Sequence, residues 1–136
     1  MKNTNKELVK RYYDEIWNKQ NREAIDELLD DDITFRGTLN IETQGKKEFE
    51  EYMTNILTAI PNLYHGIEMM VEENGIIAVR AVYNGTHKGK LFNYEPTNNR
   101  IKYNGASFFR FKDGKISNIW VLGDLISLYE QLEQKK

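Results

Sequence analysis

The apolar residues of this chain change their spacing once, at Pro61, and that change is what most limits the folds open to it. Before Pro61 they recur at helical spacing, first as Leu8, Val9, Tyr12, Tyr13, Ile16 and Trp17, then as Ala24, Ile25, Leu28 and Leu29, and finally as Phe49, Tyr52, Met53, Ile56, Leu57 and Ile60. Thr4 with Glu7 reads as a capping box for the first run, and Pro61 stops the third. After Pro61 the period is two. Ile67, Met69 and Val71 alternate with Glu68, Met70 and Glu72 up to Asn74-Gly75, a hairpin signal. Strands over 76–86, 101–111 and 116–122 come next, the last two joined by Asp113-Gly114. A short strand over 33–37 is expected earlier, after a solvated acidic loop at Asp30 to Asp32, and Asp124 caps a terminal helical segment carrying Leu125, Leu128, Tyr129 and Leu132.

Helices with one apolar stripe and a sheet with one apolar face bury both by packing the helices into the curve of the sheet. The expected architecture is therefore α+β: a cone-shaped barrel in which a curved antiparallel sheet holds three helices from the N-terminal half on its concave face. Its 136 residues fit one domain, spanning 1–136. The open end of such a cone leaves an apolar pocket suited to a small hydrophobic molecule. Phe108 and Phe109 are adjacent in one strand, so both faces carry apolar side chains, and a homodimer is expected to cover the outer one.

Charge and composition narrow the chemistry. Nineteen Lys and Arg against 21 Asp and Glu leave no basic excess for a nucleic acid backbone. Without cysteine there is no disulfide, thiol nucleophile or zinc ribbon, and only two histidines remain as nitrogen ligands, so no metal is expected. The N-terminus lacks the apolar stretch of a signal peptide and no run suits a membrane, which makes a cytoplasmic location the expectation. Gly85 to Lys90 misses phosphate-loop spacing, and Asp30 to Asp32 lacks the alternation of a calcium loop.

Two residues stand out as candidates for catalysis. His87, between Gly85 and Gly89, suits a proton shuttle or a donor to a carbonyl, and equally a turn histidine without chemistry. On strict alternation Asp124 shares a face with Ile116, Asn118, Trp120 and Leu122. If that face lines the pocket, desolvation raises its pKa and makes it a general acid or base, while the same residue is also a good helix N-cap. His65, beside Gly66 at a strand start, reads as structural. Trp17, Phe35, Tyr83 and Trp120 come from different elements near the expected open end and form a candidate substrate-binding set.

The segments Tyr13 to Lys19 and Ala24 to Leu28, then Gly85-Thr86-His87-Lys88-Gly89 with Pro96-Thr97, and finally Phe109 to Ile116 with Trp120 and Asp124, together resemble the SnoaL-like polyketide cyclases. That family shares the cone fold of nuclear transport factor 2 and ketosteroid isomerase. The resemblance covers nearly the whole chain. It implies a cyclase or isomerase acting on a hydrophobic carbonyl compound without metal or organic cofactor, with Asp124 as the acid/base of an intramolecular aldol step and His87 as a pocket-region histidine. It also implies pairing through the convex side of the sheet. A non-catalytic carrier of an apolar molecule is the alternative. The environment of Asp124 separates the two: burial against the cavity favours the enzyme, and full engagement in capping favours the carrier.

Overall fold

The computed structural model describes residues 3–134. Helix α1 (Asn5–Arg11) opens on the capping box, with the Glu7 N–H donating to Thr4 Oγ1 at 3.1 Å and the Thr4 N–H to Glu7 Oε1 at 2.8 Å. From Tyr12 to Asn18 the helix widens into a π-helical stretch, in which the Lys19 N–H reaches the Asp14 carbonyl five residues back. Tyr12, Tyr13, Ile16 and Trp17 are buried there. Their spacing suits an α or a π winding, so the pattern shows the buried face but not the change of pitch.

Helix α2 (Glu23–Leu28) leads into strand β1 (Leu29–Arg36), and β2 (Glu42–Gln44) precedes the long helix α3 (Lys46–Ala59), which ends just before Pro61 as expected. Strands β3 (Tyr64–Glu73), β4 (Ile76–Thr86), β5 (Arg100–Lys112) and β6 (Lys115–Gly123) form the expected meander, and α4 (Leu125–Leu132) closes the fold. The acidic triplet lies inside β1 and not in a loop. Its register with β6 breaks between Leu29 and Thr34, which lets Asp31 and Asp32 face water, Asp31 pairing with Lys46 at 2.9 Å. The polar stretch around residues 42–44 also carries a strand that its composition does not suggest.

The six strands lie in the order β2-β1-β6-β5-β4-β3. All neighbours are antiparallel except β1 and β6, which run parallel, so the sheet is mixed where a purely antiparallel one was expected. The chain leaves β1 through α3 and crosses the whole meander before β6 returns beside β1 in the same direction. Edge strands β2 and β3 do not pair, so the curved sheet does not close. Both expected hairpins have positive φ at their two turn residues, Asn74 (53°) with Gly75 (75°) and Asp113 (51°) with Gly114 (79°).

Two β-bulges decide which side chains face inward. In β3, Ile67 pairs with Ala81 but Met69 pairs with Arg80, so Glu68 is an extra residue. Strict alternation puts Ile67, Met69 and Val71 on one face. After the bulge Met70 is turned inward, while Met69 and Val71 are about half exposed. In β6, Ile116 pairs with Phe111 but Asn118 pairs with Arg110, which makes Ser117 the extra residue. Ile116 and Ile119 therefore both face the core, and Asn118, Trp120 and Leu122 are turned to the convex side.

The concave face is filled from the helices. Tyr12 packs at ring-centroid distances of 5.2 Å to Tyr13, 5.5 Å to Phe109 and 6.2 Å to Phe49. Asn18 fastens the first helical segment to the edge strand, its Nδ2 donating to the His65 carbonyl at 2.9 Å and its Oδ1 accepting from the His65 N–H at 2.7 Å. The side chain thus takes the place of a missing strand neighbour. Asn18→Ala leaves both backbone groups without partners in a half-buried position and is expected to cost about 1–3 kcal/mol of unfolding free energy, read from urea denaturation.

Candidate functional site

Inside the cone the helices stop short of filling the sheet. The remaining cavity is walled by Tyr12, Tyr13 and Trp17 from the first helical segment, Tyr52, Ile56 and Ile60 from α3, and His65, Tyr83, Tyr103, Ser107 and Val121 from the sheet. Thr38, Leu39, Leu91 and Leu128 stand in its wall from the loops and α4. About 540 Å³ lies between these walls, part of it open to solvent, but only about 40 Å³ admits the centre of a water-sized sphere. The site is a narrow cleft.

Small residues shape the sheet side of its wall. Ala81, Gly105 and Gly123 follow one another across β4, β5 and β6 on the concave face. A Cβ on Gly105 meets the Tyr83 ring at 2.4 Å, and one on Gly123 meets the Thr38 side chain at 2.5 Å. Those two glycines let Tyr83 and Thr38 lean across the sheet into the cavity wall.

The polar groups of the cavity are unusual in how weakly they are partnered. Tyr13 Oη, His65 Nδ1 and Ser107 Oγ are buried without a hydrogen bond of ordinary geometry among the described residues, although most buried polar atoms in folded proteins make one. His65 is stacked on Trp17 at 4.7 Å and meets the Tyr83 ring edge-on at 4.9 Å. Burial drives its pKa down to about 3, so the ring is neutral at physiological pH. Burial likewise raises the Tyr13 phenol well above its ordinary value, with neighbouring Tyr83 adding to the rise and the nearby Ser107 hydroxyl opposing it. From sequence, His65 reads as structural. The available signal was parity, since His65 shares the inward face with Ile67 in β3, as Ser107 does with Phe109 in β5.

Of the residues singled out from sequence, Trp17, Phe35 and Tyr83 line the cavity. Trp120 does not. The Ser117 bulge turns it onto the convex face, 39% exposed, against Phe108 at 5.9 Å and beneath the Arg36 guanidinium at 5.2 Å. That guanidinium also donates to the Val121 carbonyl and, at 3.0 Å, to Asn40 Oδ1.

Asp124 is also outside the cavity. It is exposed, and its Oδ1 accepts from the Ser127 N–H at 3.1 Å as the N-cap of α4. The desolvated carboxylate expected from strict alternation is not present, because the bulge changes the parity of β6 and the chain turns into α4 at this residue.

His87 is fully buried in the β4–β5 connection, away from the cavity wall. The Thr97 N–H donates to its Nδ1 at 3.2 Å, which assigns the proton of the neutral ring to Nε2, and burial lowers its pKa. Its backbone bonds to Asn98 and Asn99. The next two residues, Lys88 and Gly89, donate their N–H groups to the Ala59 carbonyl at the end of α3. A Cβ on Gly89 meets the Thr58 carbonyl oxygen at 2.4 Å, so the Gly-Thr-His-Lys-Gly segment works here as a close-packed cap on α3.

The sequence profile of the SnoaL-like polyketide cyclases matches residues 7–132. The chain belongs to that family. No curated protein matches this SnoaL-like chain in sequence. Among solved structures it is similar to a candidate SnoaL-like polyketide cyclase from Jannaschia sp. CCS1, with a TM-score of 0.88 at 19% identity, covering 97% of this chain and 93% of that one. It is also similar to IdmH, a candidate polyketide cyclase from Streptomyces antibioticus, with a TM-score of 0.82 at 17% identity over 95% and 98% of the two chains. AclR, a candidate hydroxylase from Streptomyces galilaeus, has a TM-score of 0.80 at 24% identity over 93% and 83%. At these identities the likeness is one of fold. Among the described residues of this SnoaL-like protein no helix is long and apolar enough to cross a membrane, and no cluster of three or more His, Cys, Asp or Glu side chains is placed to hold a metal ion.

The neutral histidine makes a pH prediction. The unfolded imidazole titrates near its ordinary 6.5 and the folded one near 3, so below pH 6.5 the unfolded chain binds the extra proton and stability falls as pH falls. The slope due to His65 approaches about 1.4 kcal/mol per pH unit, and His87 adds to it in the same direction. His65→Phe keeps the aromatic stack and removes that titration. Between pH 6.5 and 5, its urea-unfolding free energy is expected to change less with pH than that of the parent.

Proposed function

We propose that this SnoaL-like protein binds a small, flat, largely apolar molecule inside the cone and holds it without acid/base chemistry from Asp124. The observation that carries this reading is the composition of the cavity wall: aromatic rings and aliphatic side chains with a few neutral polar groups and no carboxylate, while Asp124 is exposed and engaged in capping. Such a lining supplies apolar contact and ring stacking but no charged base at the place where a substrate carbon sits. Family membership supports a small-molecule ligand.

The second reading is a cofactor-independent cyclase or isomerase of a hydrophobic carbonyl compound, with Asp124 moving the proton. It is favoured by the family match and by the position of Asp124 beside the cavity residue Leu128, one turn along α4. In it, Asp124 takes a proton from carbon next to a carbonyl, and the enolate attacks a second carbonyl or is reprotonated at another carbon.

A panel of aromatic ketones and phenols distinguishes the two. Trp120→Phe leaves the buried Trp17 as the only tryptophan, so its emission reports filling of the cavity. Asn caps helices about as well as Asp, and Asp124→Asn is expected to leave both stability and ligand affinity within about twofold of the parent. Nuclear magnetic resonance of the bound compounds is expected to show no conversion by either protein. Conversion by the parent that is lost in Asp124→Asn establishes the second reading instead.

The convex face supports a homodimer as part of the same proposal. Phe108, Trp120 and Leu122 are 42%, 39% and 52% exposed on it. Light scattering at micromolar concentration is expected to give twice the chain mass, and Phe108→Lys to shift it towards the monomer by placing a charge among these side chains.

A further inference from the structure

The cavity has a larger neighbour. Between helix α3 and the turn joining β1 to β2 runs a surface groove that shares three side chains with the cavity, Leu39, Tyr52 and Ile56. About 220 Å³ of the groove admits the centre of a water-sized sphere, against about 40 Å³ of the cavity, which when closed is too tight for any ring compound. Glu48, Glu51, Tyr52 and Ile56 recur at helical spacing, so one stripe of α3 forms one side of the groove. Leu39 and Ile41 form the other, and Ile41 is 47% exposed.

We infer that the cavity and this groove are two compartments of one binding site, divided by Tyr52 and Leu39, and that the site takes an elongated apolar molecule whose outer end is neutral or cationic. The inference rests on the reading of the cone as a small-molecule site and adds the shape and outer charge of the ligand.

Tyr52 stands where the two spaces meet. Its side chain is buried and its ring lies 4.9 Å from that of Phe35. A Cβ on Gly37 would clash with the Tyr52 hydroxyl, so this glycine lets the turn close down on the ring. Burial raises the pKa of the Tyr52 phenol, and the backbone N–H groups of Leu39 and Thr38, facing its oxygen, oppose the rise. The turn is the tip of a hairpin whose second strand, β2, is only three residues long and lies at the sheet edge. The Arg36 guanidinium braces it through Asn40 Oδ1 at 3.0 Å, and Asn40 takes a positive φ of 61°. Rotating Tyr52 and drawing Leu39 back joins the two spaces while leaving every pairing of the β3–β6 meander in place.

The joined space is apolar within and charged at its mouth. Glu48 and Glu51 stand in the groove wall and no Lys or Arg does. Neither carboxylate is in an ion pair among the described residues. A carboxylate on the outer end of a ligand therefore meets like charge, whereas an ammonium meets opposite charge. No Asp, Glu, Lys or Arg lines the inner compartment, so a charged inner end would lose its hydration without an opposite charge in return.

Collisional quenching of Trp17 tests this. In a Trp120→Phe background Trp17 alone emits, from the cavity wall, and acrylamide reads access to it. Tyr52→Ala is expected to raise the acrylamide quenching constant about fivefold and Leu39→Ala about twofold. Leu128→Ala, whose side chain lines the cavity but not the groove, is expected to leave it near the background value. Leu39 is only partly buried in a turn, so its variant keeps the test valid should Tyr52→Ala fail to fold. Relative to N-acetyltryptophanamide, N-methylpyridinium is expected to quench the opened variants about threefold more efficiently than iodide. Quenching unchanged in both variants, or raised as much by Leu128→Ala, overturns the shared site, and equal quenching by the two ions overturns the charge assigned to the outer end. The cavity reading is judged separately. It falls if no member of the ketone and phenol panel alters Trp17 emission in the background protein or the opened variants, and it stands without the groove if the panel binds all of them at the same association rate.

Discussion

A curved sheet that does not close must have its concave face covered, and in this protein the covering is done mainly by aromatic rings from the first helical segment. Tyr12 stands among Tyr13, Phe49 and Phe109, and Trp17 reaches from the same segment to Phe49 and His65. Everything at the site depends on how completely those rings fill the curve. They seal the region around Phe109, and beyond it Tyr83 and Thr38, leaning over Gly105 and Gly123, form the far wall of the space that remains. The Asn18 clamp holds the helical segment to the sheet edge through the backbone of His65, whose ring then packs between Trp17 and Tyr83.

Much of the fold is legible in the sequence because it rests on long periodic runs. The capping box at Thr4, the stop at Pro61, both hairpin dipeptides and the cap at Asp124 arise from local chemistry that tertiary contacts leave undisturbed. What periodicity does not carry is a change of count. Glu68 and Ser117 have nothing in their side chains that marks them as bulged residues, yet each reverses the parity of the strand beyond it. The parallel pairing of β1 with β6 is equally hidden, because it depends on where β6 arrives after the meander and not on the residues of either strand.

The candidate site shows the same division. Trp17, Phe35 and Tyr83 precede the Ser117 bulge and lie in the wall where the pattern put them, whereas Trp120 and Asp124 come after it and are displaced. His87 is placed by a different cause. Its segment is close-packed against the end of α3, where an imidazole accepting a backbone N–H organises the connection between β4 and β5. Family membership and fold therefore agree, while the distribution of titratable groups departs from what the resemblance implies. The cavity wall carries a histidine held neutral and phenols that stay protonated, and the carboxylates are on the surface.

The bulges have a consequence for how the cavity can change over time. A substitution in a wall of interlocked aromatic rings disturbs several neighbours at once, because interiors packed to this density transmit any change in volume. Loss of one residue at Ser117 acts differently: it exchanges the inner and outer faces of β6 beyond that point in a single event, carrying Trp120 towards the interior and Val121 out of it. The set of residues facing the ligand is thus stored partly in strand length. Two relatives with nearly the same residues in β6 can present different interiors, and only a comparison that keeps track of insertions and deletions reveals it.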